Sequence, residues 1–349
     1  MDLQHRVGMA PLTRLRIGES NLPLPFVKDY YAQRASVPGT LIVTEGINID
    51  PGVDSPIPSL VNPAQVSSWK VITDSVHAKG SFIVAQLALL GRAEPASIGS
   101  WRKILAPSAI PIDPESRAPT PATESDIHDA IDMFVLGACR AIEAGFDAVE
   151  IHGANGYLVD QFTQDVSNRR TDKWGGDIEN RSRFAIEVSK AVIQAIGAER
   201  VGFRISPFSK FQAMGMEDPK PQFQHLVTEL ATLKLAYLHV VTARMNSAED
   251  SDSLASIDFV IEAWNKTSPV LVAGGMTPDS AKALMIQWED RDVVVVFGRY
   301  FIANPDLPFR LRHDKDLNHW NRDTFYIPYA EGYTDYPFHP EFEVASSYA

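Results

Sequence analysis

The chain contains a single cysteine, Cys139, among its 349 residues. One cysteine cannot form an intramolecular disulfide, and it cannot build a cysteine-based metal site. Long apolar stretches are missing as well, because the longest uninterrupted apolar run, 293–297, is far shorter than the ~18 residues that a membrane-spanning helix needs. The first residues carry no apolar segment of the kind found in secretory signals. We therefore expect a cytoplasmic protein that is not inserted in a membrane.

Positive charge is scarce, since 32 lysines and arginines stand against 44 aspartates and glutamates and the net charge is −12. This balance argues against nucleic acid as the main partner, because phosphate neutralisation requires clustered positive charge. What the chain does have is an ordinary globular composition, 45% hydrophobic and 22% charged, which suffices for a large core. Its length alone allows two or three domains of ~150 residues, but a single α/β barrel often exceeds ~250 residues.

Eight short runs rich in valine and isoleucine are separated by longer amphipathic segments. Most of these runs do not alternate apolar with polar residues, which is typical of strands covered on both faces. The predicted strands are 6–12, 39–45, 81–88, 147–152, 201–206, 237–242, 269–274 and 292–298.

Helical patterns lie between the predicted strands. Thr123-x-x-Asp126 is a capping-box start, and apolar residues follow it at helical spacing as far as Gly145. Cys139 is expected on the apolar side of that helix as a small core residue. Further helices are predicted at 184–195, 221–234 and 278–290.

Eight strands, each followed by a helical segment, predict a single (β/α)8 TIM barrel. A doubly wound sheet is the weaker alternative, because no G-x-G-x-x-G follows the first strand. No linker divides the chain, so we expect one domain over 1–349. Segment 90–122 is rich in proline and is predicted to run over the barrel mouth. The tail over 314–349 carries many aromatic rings and is predicted to pack back on the barrel.

The reactive residues of a TIM barrel lie at the C-terminal ends of its strands. Here these ends carry many polar residues and glycines: Thr13, Glu45, Gly46, Gln86, His152, Asn155, Tyr157, Arg204, Gly274, Gly275, Gly298 and Arg299. The glycines after the seventh and eighth strands, together with Arg299, predict a phosphate site, which backbone N–H groups and a positive charge would form. Tight turns and a surface arginine are the alternative.

Gln86 and Arg204 lie inside otherwise apolar runs. An arginine in a barrel wall is costly unless an anionic group pairs with it. One interpretation is a structural ion pair with Glu150 or Glu45. The other is a bound ring system with carbonyls and ring nitrogens, which would suit Gln86 and Arg204 together.

The segment from His152 to Tyr157 combines three polar side chains with two glycines. His152 and Asn155 can both donate a hydrogen bond to a carbonyl oxygen, as an oxyanion hole does, and the phenol of Tyr157 can deliver a proton. A metal site is disfavoured, because no second histidine or carboxylate lies at ligand spacing. A core histidine would be the simpler interpretation of His152 alone, but the three residues together favour a reactive site.

Several longer motifs are spread over most of the chain, from Arg6 to about Phe338. They are Met9-Ala10-Pro11-Leu12-Thr13-Arg14, Tyr30-Tyr31-Ala32-Gln33-Arg34-Ala35-Ser36, His152-Gly153-Ala154-Asn155-Gly156-Tyr157-Leu158 with Asp160-Gln161-Phe162, Asn168-Arg169-Arg170-Thr171-Asp172-Lys173-Trp174-Gly175-Gly176, Phe297-Gly298-Arg299-Tyr300-Phe301 and Arg322-Asp323-Thr324-Phe325-Tyr326. Together these motifs resemble the old yellow enzyme family of FMN-dependent ene-reductases. Several stretches are similar in sequence to the filamentous-fungal branch that includes the chanoclavine-aldehyde reductases.

The resemblance implies non-covalent FMN, with NADPH or NADH as the reductant. It implies that Thr13 tunes the flavin near its N5–C4 carbonyl edge, and that Arg299 meets the phosphate. The residues implied to bind FMN are Pro11, Leu12, Thr13, Gly46, Gln86, Arg204, Gly274, Gly275, Gly298, Arg299 and Phe325. Those implied to bind substrate are His152, Asn155, Tyr326 and Ala88.

The reaction implied by the resemblance is ping-pong. NADPH or NADH reduces FMN, and the flavin N5 then gives a hydride to the β-carbon of an enone or enal whose oxygen His152 and Asn155 polarise. Tyr157 would protonate the α-carbon. An FMN-dependent isomerase or dehydrogenase of a biosynthetic pathway remains the alternative, and a flavin-binding protein without turnover is a third. The partner would be a small molecule, and the protein a monomer or homodimer.

Two departures from the family pattern bear on the site and the barrel. The family usually has tryptophan after Gln86-Leu87, where this chain has Ala88, and the smaller side chain predicts a wider or reshaped substrate site. The family also usually has a leading segment that caps the bottom of the barrel. Either another part of this chain covers that end, or the sequence is a shortened form.

Overall fold

The computed structural model describes residues 1–53, 57–94, 103–246, 249–250 and 255–342. Within these ranges, eight parallel strands close a barrel in which every strand pairs with those before and after it, and the first pairs with the last. The strands are β1 (Val7–Met9), β2 (Leu41–Asn48), β3 (Phe82–Ala88), β4 (Ala148–Gly153), β5 (Val201–Ile205), β6 (Tyr237–Val241), β7 (Val270–Ala273) and β8 (Val293–Phe297).

Helices follow the strands and surround the barrel, so the predicted TIM barrel is confirmed. They are α1 (Val27–Arg34), α2 (Pro63–His77), α3 (Glu124–Glu143), α4 (Leu158–Thr163), α5 (Ile178–Ile196), α6 (Lys220–Thr232), α7 (Asp258–Trp264), α8 (Pro278–Gln287), α9 (Arg299–Ala303) and α10 (Leu307–Arg312). None of the helices described is long and apolar enough to cross a bilayer.

The capping box predicted at the start of α3 is present. The Thr123 side chain accepts a hydrogen bond from the Asp126 N–H, and the Asp126 carboxylate accepts one from the Thr123 N–H at 2.7 Å. The position predicted for Cys139 is wrong, because this side chain is exposed. It follows Ala138, which is buried, and one step around a helix turns the side chain by about 100° toward solvent.

The barrel has two apolar regions. A large core between strands and helices includes Trp69, Phe134 and Phe184. A smaller cluster fills the lower barrel interior and is built from alternate strand residues, including Leu41, Val43, Val84, Ala148, Tyr237, Leu271, Val294 and Val296. Leu3 packs against this inner cluster, so residues before β1 contribute to the bottom of the barrel.

Some predicted strand ends differ from the structure. β1 ends at Met9 rather than at residue 12, because Pro11 has no N–H to continue the ladder. β2 continues past Glu45 to Asn48, and its register with β3 shifts between Val43 and Gly46. This bulge brings Gly46 opposite Gln86 at the upper end of the barrel.

Two segments of the predicted excursion pair with each other, and the described part of the predicted tail packs against the loop after β1 and against α1. In 90–122, Leu105–Ala106 pairs with Thr120–Pro121, and 95–102 lies outside the described residues. The tail returns to the loop after β1 and to α1, where the Tyr333 ring stacks on Tyr30 with centroids 3.8 Å apart. Residues 343–349 of the predicted tail also lie outside the description.

Candidate active site

One cavity of about 640 Å³ opens at the C-terminal ends of the barrel strands, a volume that is ordinary for a ligand site. Glu45, which also stands at a predicted strand end, is buried and does not line this cavity. All the residues implied to bind FMN or substrate, together with Tyr157, do line it. They are Pro11, Leu12, Thr13, Gly46, Gln86, Ala88, His152, Asn155, Tyr157, Arg204, Gly274, Gly275, Gly298, Arg299, Phe325 and Tyr326.

A buried polar cluster lies in the barrel interior below the cavity. Glu150 is its centre, and its carboxylate accepts hydrogen bonds from Gln86 at 2.7 Å, Tyr237 at 3.0 Å and His239 at 2.8 Å. Desolvation favours the neutral acid, but His239, Arg204 and Gln86 together lower the pKa of Glu150 to about 2. Glu150 is therefore an anion at the floor of the site at physiological pH.

Arg204 lies on β5 and lines the cavity. Its surroundings bear on the two interpretations of this arginine, an ion pair with a glutamate and a contact with a bound ring system. It is 7% exposed, and the charge of Glu150 acts on it, whereas burial lowers its pKa. Its Nε is buried without a hydrogen-bond partner among the described residues. The field of Glu150 thus compensates the arginine, but a donor remains for a ligand in the cavity.

The end of the cavity after β7 and β8 has the features of a phosphate site. Gly274 and Gly275 both adopt positive φ, at 110° and 61°, a conformation that favours glycine. A Cβ on Gly298 would lie 3.2 Å from the Leu12 side chain. Arg299 supplies a positive charge, and its guanidinium lies 5.1 Å from the centre of the Trp320 ring.

His152 lies near the C-terminal end of β4, and Asn155 and Tyr157 lie on the turn between β4 and α4. Burial, aided by Arg204, lowers the pKa of His152 to about 3, so its ring is neutral at physiological pH and donates through one nitrogen. Its Nδ1 has no partner in the described structure. The Tyr157 ring meets the His152 ring edge-on, with centroids 4.7 Å apart.

The phenol of Tyr157 is held in its protonated form. Burial raises its pKa above the usual value of about 10, while Gln212 and Arg204 oppose that rise. A group with this pKa carries a proton at neutral pH and has polar neighbours that stabilise the phenolate after the proton leaves.

Part of the cavity lining is apolar. Ile57 and Leu90 form a small hydrophobic cluster with Val53, and Leu15 and Tyr157 pack against it. Ala88 is 1% exposed and also lines the cavity. The sequence analysis missed Leu15, Ile57, Leu90 and Phe211 as lining residues, because they lie in loops whose folding over the cavity has no periodic signal.

The sequence analysis also missed Tyr237 and His239 as members of the polar cluster. Their signal was present, since they occupy alternate positions of a short strand and therefore share its inner face. Gly202 lies beside them on β5, paired with Tyr237, and a Cβ there would collide with the Tyr237 ring. Two polar residues at inward positions of an apolar strand would have predicted this cluster.

The residues present fit FMN. Buried unpartnered nitrogens on Arg204 and His152 face a cavity that also holds a glycine-rich end with Arg299. This donor set suits a polar ring system that carries a phosphate at one end. Within the described residues, no group of three or more histidine, cysteine, aspartate or glutamate side chains could hold a metal ion.

Comparison with known proteins agrees with this geometry. A model of the NADH:flavin oxidoreductase / NADH oxidase family matches residues 1–318. Chanoclavine-I aldehyde reductase fgaOx3 of Penicillium roqueforti is 47% identical over 353 residues, covering 99% of this chain and 95% of that protein. A Claviceps purpurea protein named probable inactive dehydrogenase easA is 47% identical over 353 residues, covering 97% of this chain and 93% of that protein.

A solved structure of morphinone reductase has a TM-score of 0.88 and 36% sequence identity, covering 97% of this chain and 93% of that one. The family model and the relatives each match nearly the whole chain. The chain therefore belongs to the NADH:flavin oxidoreductase / NADH oxidase family, is of the old yellow enzyme type, and is an FMN-dependent oxidoreductase that uses NADH or NADPH.

Proposed function

We propose that this protein reduces the activated C=C bond of α,β-unsaturated carbonyl compounds. The observation that carries the proposal is the end of β4 with the turn after it, which together bring a neutral histidine, an amide and a protonated phenol to the same cavity. Reduction of such a bond needs donors at the carbonyl oxygen and a proton source near the α-carbon. His152 and Asn155 would supply the donors, and Tyr157 the proton.

The residues that would hold FMN are Pro11, Leu12, Thr13, Gly46, Gln86, Arg204, Gly274, Gly275, Gly298, Arg299 and Phe325, all on the cavity wall. When bound, FMN supplies the hydride that it receives from NADH or NADPH. Arg204 would place a positive charge beside the bound ring system, and Arg299 would face the phosphate. Thr13 lines the same cavity as His152.

An aldehyde is the carbonyl that we favour. The relative from Penicillium roqueforti is named an aldehyde reductase, and the wall of Ile57, Leu90 and Leu15 is apolar. A bulky apolar enal would bury its hydrocarbon part against this wall while its oxygen faces His152 and Asn155. Location in the cytoplasm, a monomeric or homodimeric state and a single domain over 1–349 stay predictions.

The half-reaction assay tests the proposed function. Under anaerobic conditions the yellow holoenzyme should bleach with NADPH or NADH, and it should regain its colour when an enone or enal is added. Recovery of the saturated product is expected. Bleaching without recolouring, or recovery of an isomerised enone with no net reduction, would instead favour the isomerase or dehydrogenase alternative.

Ala88→Trp is expected to change the substrate range and the face of the alkene that is reduced. The tryptophan ring would fill space beside Gly46 and His152, since a Cβ on Gly46 already lies 3.8 Å from Ala88 Cβ and 4.0 Å from His152 Cδ2. The check is the product enantiomeric ratio over a panel of enals of rising size. Ala88→Val provides a graded intermediate, and an unchanged panel for both variants would remove Ala88 as a determinant of specificity.

A further inference from the structure

The short helix α4 carries buried polar groups that the proposed reaction does not use. Asp160 is fully buried, and its Oδ2 accepts a hydrogen bond from the Gly156 N–H at 2.8 Å. Its Oδ1 accepts one from the Gln164 side-chain amide at 2.8 Å. Gly156 lies between Asn155 and Tyr157, so Asp160 binds the backbone of the turn that presents both side chains to the cavity.

The orientation of Gln164 is fixed from its other side. Its Oε1 accepts a hydrogen bond from the Gly215 N–H at 2.9 Å, and its NH2 group must therefore point toward Asp160. Both oxygens of Asp160 consequently face donors. This geometry calls for an acceptor at both positions, which a carboxylate provides and an amide does not.

The neighbouring Gln161 ties the same turn to the loop after β3. Its Nε2 donates to the Gly156 carbonyl at 2.7 Å and to the Leu90 carbonyl at 3.0 Å, and its Oε1 accepts from the Arg92 N–H at 3.1 Å. The Arg92 guanidinium donates in turn to the Gln212 carbonyl at 3.0 Å. The loops after β3, β4 and β5 are thus joined through α4.

The turn needs such support because its backbone is strained. Asn155 has φ of 57° and Gly156 has φ of 76°, and a left-handed conformation at a non-glycine residue persists where surrounding contacts determine it. The Ser206 hydroxyl accepts a hydrogen bond from the Asn155 N–H at 2.7 Å. Asp160 fixes the next N–H along the chain.

We propose that Asp160 is a positioning residue, whose carboxylate holds the Gly156 turn so that Asn155 and Tyr157 reach the substrate together. The inference rests on the proposed function, because it assigns Asp160 to the step in which Tyr157 delivers its proton. It adds a residue that touches neither substrate nor cofactor, since Asp160 is not part of the cavity wall.

The charge of Asp160 gives this role a pH dependence. Burial raises its pKa to about 7, against the opposing effects of Gln164, Gly156 and the facing charge of Arg92. Above that pH the carboxylate accepts from both donors. Below it the added proton removes one acceptor position and the turn loosens. We expect the enone-dependent half-reaction to slow as the pH falls through about 7.

The test compares Asp160→Asn with the wild-type holoenzyme in the two half-reactions and in amide hydrogen exchange of 155–158. The amide NH2 would oppose either the Gly156 N–H or the Gln164 NH2. In Asp160→Asn we expect recolouring by the enone to slow between about tenfold and hundredfold, while bleaching by NADPH is unchanged. Amide exchange in 155–158 should be faster, and the rate of recolouring should no longer change with pH near pH 7. Asp129→Asn makes the same chemical change on the exposed face of α3 and should behave as wild type.

The double variant Asp160→Asn/Gln164→Glu exchanges amide and acid within the same pair. It restores donor–acceptor matching, because the new carboxylate can accept from both the Gly215 N–H and the new amide. It should recover protected amides and most of the enone-dependent rate. Unchanged rates and exchange in Asp160→Asn would overturn the inference.

Failure of the proposed function has a different signature. A wild-type holoenzyme that bleaches but never recolours with any enone or enal would contradict the proposed reaction, whatever the variants do. Should the double variant not fold, the wild-type protein still decides the inference, because the protection factors of the amides in 155–158, each corrected for the intrinsic exchange rate at that pH, must fall over the same pH range in which recolouring slows. Protection factors that stay constant from pH 8 to pH 6 would exclude the role of Asp160.

Discussion

Tyr157→Phe is expected to slow recolouring of the reduced enzyme by an enone about 10²- to 10⁴-fold, the range that one positioned proton donor contributes. Bleaching by NADPH or NADH should keep its wild-type rate, because that step takes no proton from the phenol. The phenylalanine ring preserves the edge-on contact with His152, whose centroid lies 4.7 Å away. Stopped-flow absorbance of the flavin measures both rates in one instrument.

The pH dependence of the enone-dependent rate in the wild-type enzyme is a second test of Tyr157 as the proton donor. Burial raises the pKa of Tyr157 above about 10, so its proton is present over the whole neutral range. His152, whose pKa is lowered to about 3, stays neutral there. Neither group should therefore make the enone-dependent rate change with pH between pH 6 and 9. The fall in this rate that we expect below about pH 7 is due to Asp160.

Tyr329→Phe is the matched control for Tyr157→Phe. It makes the same chemical change at a tyrosine that is 65% exposed and is not among the residues that line the cavity. Equal losses in the two variants would contradict Tyr157 as the proton donor. A Tyr157→Phe enzyme that converts the enone to an isomer would show that hydride delivery and protonation are separate events.

The barrel and the candidate site differ in how far the sequence predicted them. Strands such as β7 and β8 are continuous apolar runs, which is typical of parallel strands buried on both faces. Since the C-terminal ends of all eight strands meet at one rim, the residues after them had to share a cavity. His152, Gln86, Arg204 and Arg299 therefore reached the same wall although they are far apart in sequence.

The residues that the sequence did not predict act through tertiary contacts. Leu90 and Ile57 enter the wall because two loops fold together, and neither loop has a hydrophobic period. Asp160 was part of a matched motif, but its partners Gly156 and Gln164 became visible only with the turn in place. For Cys139 the prediction was wrong in the opposite sense, because a residue expected in the core is exposed. The buried face of α3 is narrower than the sequence analysis assumed.

Arg16→Lys is expected to loosen the aromatic tail and to weaken FMN retention. The Arg16 guanidinium is 1% exposed and donates to the carbonyls of Thr324, Phe325, Tyr329 and Glu331 in the tail, at 2.7, 2.6, 3.0 and 3.2 Å. It also lies 4.8 Å from the centre of the Tyr333 ring. Lysine has three donors and no planar face, so it cannot reproduce this set.

Loss of the Arg16 contacts should lower both the stability of the protein and its affinity for FMN. Each buried carbonyl left without a donor costs about 1–3 kcal/mol, so we expect the free energy of unfolding in urea to fall by roughly 2–4 kcal/mol. Phe325 has its carbonyl held by both Arg14 and Arg16 and its ring on the cavity wall. A displaced Phe325 should therefore release FMN more readily on dilution.

Arg312→Lys is the control for this change, since Arg312 is an exposed arginine on the last turn of α10. It should leave both unfolding and FMN retention as in the wild type. Limited proteolysis adds a direct readout, because a tail released from Arg16 should be cleaved between 314 and 342 in Arg16→Lys before the barrel is cut. If the tail of Arg16→Lys is cleaved early but the variant keeps its FMN, the arginine fastens the tail without positioning Phe325, and cofactor binding depends on the barrel strands alone.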